Sequence, residues 1–245
     1  GNTDSSVNAN IKYDVTPPAF GSVLPGNNDK IGDLSTRLVK WTNSEILAAG
    51  TITYTRTSGA ADVGSPHSAG MAGHLAAGYQ ELDVTGTLVE GTVYQLDLLG
   101  TDLAGNTGTA ARTNLECDQT SPSFGAVTPA ASSYVRAATR APSWTNSEAL
   151  SAGQVKYTGT AGGDSGGIRS VTFAGSLLNS GSQTIDITGL QDGSTYTLSL
   201  TATDKAGNSG NIAPQTGIIY DTTLPAFGSV TPNDNDKISS ATIIN

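Results

Sequence analysis

The chain reads as an all-β protein, a tandem of seven-stranded β-sandwiches laid end to end, and three observations predict this. The first is a repeat. Asp118-Gln-Thr-Ser-Pro-Ser-Phe-Gly-Ala-Val-Thr-Pro129 has near copies at Asp14-Val-Thr-Pro-Pro-Ala-Phe-Gly-Ser-Val-Leu-Pro25 and at Asp221-Thr-Thr-Leu-Pro-Ala-Phe-Gly-Ser-Val-Thr-Pro232, at intervals of 104 and 103 residues. A period of one small domain describes an array of modules. The second is composition: 30 Gly, one Met and 13% charged residues suit short strands and turns rather than helices. The third is alternation. Tyr196, Leu198, Leu200 and Ala202 interleave with Thr195, Thr197, Ser199 and Thr201, as a half-buried antiparallel strand requires.

The repeat divides the 245 residues into complete units at 14–117 and 118–220. Residues 1–13 read as the last strand of a preceding repeat, and residues 221–245 as the start of a further one. A net charge of −9 disfavours nucleic acid, which needs basic grooves, and suits hard cations such as calcium. No apolar run approaches the ~20 residues of a membrane span. The single Cys117 stands where the other copies carry Tyr13 and Tyr220, so packing is its expected role and the units must stand without a disulfide.

Each unit opens with the linker Asp and a Pro (Pro18, Pro122, Pro225) that removes a donor and stiffens the entry. Phe20 and Val23, matched by Phe124 and Val127, form the first strand. The second carries Trp41-Thr-Asn-Ser-Glu45 and Trp144-Thr-Asn-Ser-Glu148, with Trp41 and Trp144 expected in the cores. Pro142 within this strand predicts a bulge or an unpaired edge. Ile52 and Tyr54, matched by Val155 and Tyr157, face inward from the third. The stretch that follows has equal length in both units and unlike contents, which marks it as surface. Ile168–Phe173 reads as a strand there, whereas the region around Pro66 reads as looser. Leu82-Asp-Val-Thr-Gly86 and Ile185-Asp-Ile-Thr-Gly189 lead through a turn into the long strand opened by Tyr94 or Tyr196. A tyrosine so placed fits a tyrosine corner. The long strand ends in the tight loop Asp102-Leu-Ala-Gly-Asn106 or Asp204-Lys-Ala-Gly-Asn208.

Seven strands per unit, with turn signals at short intervals, form a sandwich signature. The run Leu190-Gln-Asp-Gly-Ser-Thr-Tyr-Thr-Leu-Ser-Leu-Thr-Ala-Thr-Asp-Lys-Ala-Gly-Asn208 resembles the later half of a fibronectin type III or bacterial Ig-like repeat. With the linker, it is similar to the tandem Ig-like modules of large bacterial surface adhesins and surface-layer-type proteins. The antibody-type Cys…Trp…Cys pattern is missing.

Candidate chemistry gathers at one end of each sandwich. The start of strand one and the loops after strands two and six meet there. That end collects Asp14, Glu45, Asp102 and Asn106 in unit one, and Asp118, Glu148, Asp204 and Asn208 in unit two. Such oxygen ligands at an interdomain junction suit Ca2+, with Glu90 and Asp192 of the neighbouring unit as candidates to add a ligand. The competing reading is that these side chains only cap turns. Gly162-Gly-Asp-Ser-Gly-Gly167 mimics a serine-protease string, but its matched stretch, Gly59-Ala-Ala-Asp-Val-Gly64, lacks the serine. A triad is recognised by geometry rather than one string. His67 and His74 read as solvated loop residues rather than zinc ligands. No Asn-x-Ser/Thr sequon occurs.

The chain thus reads as a non-enzymatic structural or extender segment of a large extracellular prokaryotic surface protein: an adhesin stalk, a surface-layer subunit or a filament subunit. Neighbouring repeats of the same protein are its first partners, and homotypic assembly through free strand edges is a further option. The alternative is a carbohydrate- or receptor-binding Ig-like module of a secreted protein, with a glycan or protein receptor as partner.

Overall fold

A computed structural model describes residues 12–32, 37–84 and 87–228. The expected strand before Asp14 and the expected unit after Asp221 fall largely outside those residues.

Unit one packs a three-stranded sheet on a five-stranded one. The small sheet holds β1 (Phe20–Leu24), β3 (Val39–Asn43) and β6 (Gly78–Leu82) in the order β1-β3-β6. The large sheet holds β2 (Lys30–Ile31), β4 (Leu47–Gly59), β5 (His67–Gly70), β7 (Thr92–Asp102) and β8 (Thr107–Cys117) in the order β2-β8-β7-β4-β5.

Unit two repeats the plan. Its small sheet, in the order β14-β11-β9, uses β9 (Phe124–Thr128), β11 (Ser143–Asn146) and β14 (Gly181–Thr184). The large sheet uses β10 (Tyr134–Val135), β12 (Leu150–Ala161), β13 (Ile168–Thr172), β15 (Ser194–Asp204) and β17 (Gln215–Tyr220), in the order β10-β17-β15-β12-β13. A short β16 (Ser209–Asn211) also pairs with β15.

Alternation explains both cores. Trp41, Tyr54, Tyr94, Leu96 and Leu98 are fully buried in unit one. Trp144, Tyr157, Tyr196, Leu198 and Leu200 are their counterparts. Each indole Nε1–H donates to an asparagine Oδ1 two residues on, Trp41 to Asn43 and Trp144 to Asn146, both at 2.7 Å. That bond satisfies a donor that burial would otherwise leave costly. Cys117 is buried as expected, and burial pushes its thiol up to about 11.

Four sequence expectations need correction. The first strand is split rather than single: β1 and β9 join the small sheet, while β2 and β10 pair in parallel with β8 and β17 of the large one. Pro25 and Pro129 follow β1 and β9 directly, and a residue without an N–H cannot extend the ladder. Pro142 lies directly ahead of β11 rather than inside it; of its two expected consequences the bulge is seen, as a register shift between Ser143 and Thr145, whereas β11 is the central strand of its sheet and no edge.

Unit one is not looser around Pro66, because His67–Gly70 forms β5 against β4. The unlike stretch is also not all surface. It places Met71 in the first core and Phe173 in the second. These two plugs cover Gly50 and Gly153, where a Cβ would collide with the Met71 thioether or the Phe173 ring.

Candidate metal centres at the joints

The linker Asp begins each joint, and the linker proline is seated by glycine. A Cβ on Gly108 would collide with the Pro18 carbonyl oxygen, and one on Gly210 with that of Pro122. The entering chain therefore lies against the Asp-x-Ala-Gly-Asn hairpin, which brings three carboxylates together. Asp14, Glu45 and Asp102 have one oxygen each within 4.8 Å of the others, and so do Asp118, Glu148 and Asp204. Oxygens bound to one calcium at 2.3–2.6 Å can be at most about 5 Å apart, so the spacing makes both triads candidates for a single ion.

The same carboxylates also cap turns. Asp102 Oδ1 accepts from the Ala104 and Asn106 N–H groups, each at 2.8 Å. Asp204 Oδ1 accepts from Ala206 at 2.8 Å and Asn208 at 2.9 Å. Asp14 and Asp118 each take the N–H two residues on. The two readings are compatible, since a carboxylate oxygen has more than one lone pair.

Asn106 and Asn208 use their amide nitrogens to tie the hairpin to the linker. Asn106 Nδ2 donates to Asp102 Oδ2 at 2.8 Å and to the Asp14 carbonyl at 3.2 Å. Asn208 Nδ2 donates to Asp204 Oδ2 at 2.9 Å and to the Asp118 carbonyl at 2.8 Å. An amide nitrogen has no lone pair for a cation, so these groups clamp the hairpin to the linker. Glu90 and Asp192 likewise clasp the linker. Glu90 accepts from the Gln119 N–H and the Thr120 hydroxyl. Asp192 accepts from Thr222 and Thr223.

Electrostatics record the crowding. Burial, then Asp14 and Asp102, raise the Glu45 carboxyl. Burial, then Asp118 and Asp204, raise Glu148, with Lys30 opposing. Burial works against an ionised Asp102 as well, but hydrogen bonds from the Asn106 side chain and from the Asn106, Ala104 and Gly105 N–H groups outweigh it and hold that carboxyl low.

Sequence reasoning missed two partners. Lys30 Nζ sits 2.7 Å from Asp118 Oδ2 and 3.9 Å from Glu116. Its position depends on the parallel β2–β8 register, which pairs Lys30 with Glu116 and has no sequence signal. The other is a buried aspartate in the unlike stretch. Tyr94 donates to Asp62 Oδ2 at 2.6 Å, and Tyr196 to Asp164 Oδ2 at 2.7 Å. The Asp of the protease-like string is therefore an anchor for the core tyrosine. The histidines are not simply solvated: His67 pairs with Asp62 at 2.6 Å, and His74 lies 6.1 Å from the Trp41 ring. The sequence hides the match, since Asp62 and Asp164 fall one position apart when the units are superposed without gaps from the preceding strand.

Sheets ordered A-B-E and A′-G-F-C-C′, in strand letters, define an Ig-like sandwich of fibronectin III type. Within that class, residues 118–222 match the bacterial Ig-like domain family. No curated protein matches the chain.

Among solved structures, the chain is similar to a tetra-tandem repeat from the extending region of a large adhesion protein, at 22% identity and a TM-score of 0.31. That match covers 81% of this chain and 49% of the other. It is also similar to the fibronectin(III)-like modules of Clostridium thermocellum CbhA, at 10% identity and a TM-score of 0.37, with 87% and 99% covered. A third likeness is to a Ca2+-stabilised adhesin of an Antarctic bacterium that binds ice, at 17% identity and a TM-score of 0.34, with 86% and 51% covered. Among the described residues, no helix is long and apolar enough to cross a membrane.

Proposed function

We propose that the chain is a non-enzymatic extender segment of a large bacterial surface protein, acting outside the cell. Its sandwiches add length, and Ca2+ held at the joints limits bending between them. The observation that carries this reading is that the linker aspartate of each joint, Asp14 or Asp118, stands in a carboxylate triad with residues of the following unit. Asp14, Glu45 and Asp102 would hold one ion, and Asp118, Glu148 and Asp204 the other. Asn106 and Asn208 position the aspartates. An all-oxygen donor set of three carboxylates suits calcium, whose coordination is adaptable, better than magnesium, which demands near-octahedral geometry. The ion would cross-link linker to hairpin and relieve the repulsion that raises Glu45 and Glu148.

The bacterial Ig-like domain match supports a surface or extracellular setting. A glycan-binding role would call for an exposed aromatic platform, whereas Trp41 and Trp144 lie in the two cores and the exposed Tyr79 and Tyr134 belong to different units. The test is calorimetric melting in calcium and then in chelator. At about a hundred times its dissociation constant, calcium adds about 2.7 kcal/mol per site. A midpoint identical in both conditions removes the metal from the joint and leaves the sandwich intact.

A further inference from the structure

The units meet outside the linker as well, where the tip of β2 in unit one reaches the Asp204-Lys-Ala-Gly-Asn208 hairpin of unit two. Gly32 follows β2 directly and forms that tip. A Cβ on it would collide with the Asp118 carbonyl oxygen and stand 3.1 Å from the Ala206 Cβ and 3.2 Å from the Ala206 carbonyl oxygen. Two of these three obstacles are backbone atoms, which no change of rotamer moves aside. Ala206 is fully buried, whereas Ala104, at the same place in the hairpin of unit one, is exposed. The hairpins share one pattern, so contact with unit one, rather than the hairpin itself, buries Ala206.

The linker between the units has little slack. On the side of unit one, the Ile31 carbonyl accepts the Asp118 N–H at 2.9 Å, and the Leu88 carbonyl accepts from the Gln119 side chain at 3.2 Å. On the side of unit two, Asn208 Nδ2 donates to the Asp118 carbonyl at 2.8 Å, and the Ser123 N–H donates to Ser147 Oγ at 2.9 Å. Pro122 fixes φ just ahead of β9. Domains of one chain ordinarily move against each other when their interface is small. Here Asp118 is bonded through its N–H to unit one and through its carbonyl to unit two. The Gly32–Ala206 contact leaves little room for rotation about the two dihedrals between those bonds.

Unit two builds the first half of this arrangement and not the second. β10 pairs with β17 in the same parallel register as β2 with β8. The Val135 carbonyl accepts the Asp221 N–H at 2.9 Å, as that of Ile31 does for Asp118. The residue after β10, however, is Arg136, which is exposed and far larger than the space that Gly32 fills.

We propose that Gly32 determines which sandwich can close against unit one and at what angle: it admits the alanine hairpin of unit two, and the two units then move as one body without metal. The partner that fits the tip is a sandwich whose hairpin presents a small residue at the Ala206 position and an asparagine at the Asn208 position. Arg136 would keep the same hairpin from closing on unit two. The inference goes beyond the metal-bearing reading and stands without it, since calcium at the Asp118 triad would only add to a joint that packing has already closed.

The test measures residual dipolar couplings of the whole chain in chelator, where each unit reports its own alignment tensor. Units that move as one body share a tensor, and units that pivot show tensors of unequal magnitude. The wild type is expected to share one tensor with and without calcium. Gly32→Arg, which copies unit two, should split it, and Ala206→Lys should split it from the other side of the contact. Ala104→Lys is the control at an exposed position and should leave the shared tensor intact. Fluorine resonances of 5-fluorotryptophan at positions 41 and 144 show whether each sandwich stays folded; where one variant unfolds a unit, the other decides. Unequal tensors in the wild-type chain in chelator overturn the proposal, as does a shared tensor that survives the substitutions. Unequal tensors that merge on adding calcium overturn the packed joint and leave the metal-bearing joint standing. A shared tensor in chelator with a melting midpoint indifferent to calcium does the reverse.

Discussion

The carboxylate triads at the two joints share residue types, hairpin and asparagine clamp, yet differ in what completes them. Around Asp14 a cleft of about 530 Å³ opens between Lys12, Glu45, Ile46 and Leu103, and Ala104 is exposed. Around Asp118 the cluster is closed. Ala206, the counterpart of Ala104, is fully buried, and a Cβ on Gly32 of unit one would press on it. Lys30 supplies a tethered ammonium at Asp118. At the joint after Asp221 the Lys30 position is held by Tyr134, exposed and uncharged. At Asp118 the preceding unit thus closes the cluster and already supplies a cation, whereas the residues ahead of Lys12 lie outside those described. The lesson is that a repeated backbone fixes where carboxylates meet, while a single residue outside the repeat motif sets the charge they face.

The largest effects should test whether the units are equivalent beneath the joints. Phe173 stacks on Trp144 with centroids 5.2 Å apart, whereas its counterpart Met71 is buried without a ring to stack. Truncating a buried phenylalanine costs about 3–5 kcal/mol, and a methionine about 2–5 kcal/mol. Phe173→Ala is expected to destabilise unit two at the upper end of that range, and Met71→Ala to cost unit one less, because a thioether forfeits no ring stack. Denaturant unfolding monitored at each tryptophan measures both. An effect under about 1 kcal/mol at either position would mean that the plug belongs to the surface after all.

Those plugs also mark where the sequence was legible and where it was not. The sandwich, the buried tryptophans and the alternating strand of Tyr94 or Tyr196 could be read because each repeats in residue type as well as position. The plugs repeat only in position, as Met71 against Phe173, and the pairs Asp62–His67 and Asp164–Arg169 sit in stretches that otherwise look like surface loop. Lys30 was hidden for another reason. It reaches Asp118 only because the first strand changes sheets and runs parallel to β8, a switch that Pro25 permits without naming its register. The linker aspartates and their triad partners were legible because loops at one end of a sandwich converge. The true orientation of the asparagine amides was not, since it depends on which atom finds a donor or an acceptor.

A middle-sized effect would break the comparison between the joints directly. Lys30→Met removes the tethered ammonium while keeping most of the aliphatic stem, and should cost about 1 kcal/mol in chelator. In calcium the sign reverses, because Asp118 no longer divides its charge between lysine and metal. Titration calorimetry should show two unequal classes of site in the wild type, the weaker at Asp118, and convergence of the two in the variant. Equal sites before the substitution would mean that Lys30 moves aside without resistance.

The smallest effect sharpens the same contrast through protons. Glu45 is raised by burial, then by Asp14 and Asp102. Glu148 is raised by burial, then by Asp118 and Asp204, but Lys30 pulls it back. A carboxyl whose folded value lies above its unfolded one contributes stability that is full below the unfolded value and disappears as pH rises through the folded one. In chelator, acidification from pH 7 toward the ordinary glutamate range of about 4.3 should therefore relieve both clusters. Carbon-detected NMR titration of the two carboxyls reads this residue by residue. Lys30→Met should move Glu148 further up and leave Glu45 where it is, since the lysine stands at one joint alone. Saturating calcium should bring both below the usual range, because a divalent charge outweighs two neighbouring carboxylates. If Glu148 does not move in the variant, the ammonium is too well hydrated to be felt beyond Asp118, and the difference between the joints rests on their shape rather than their charge.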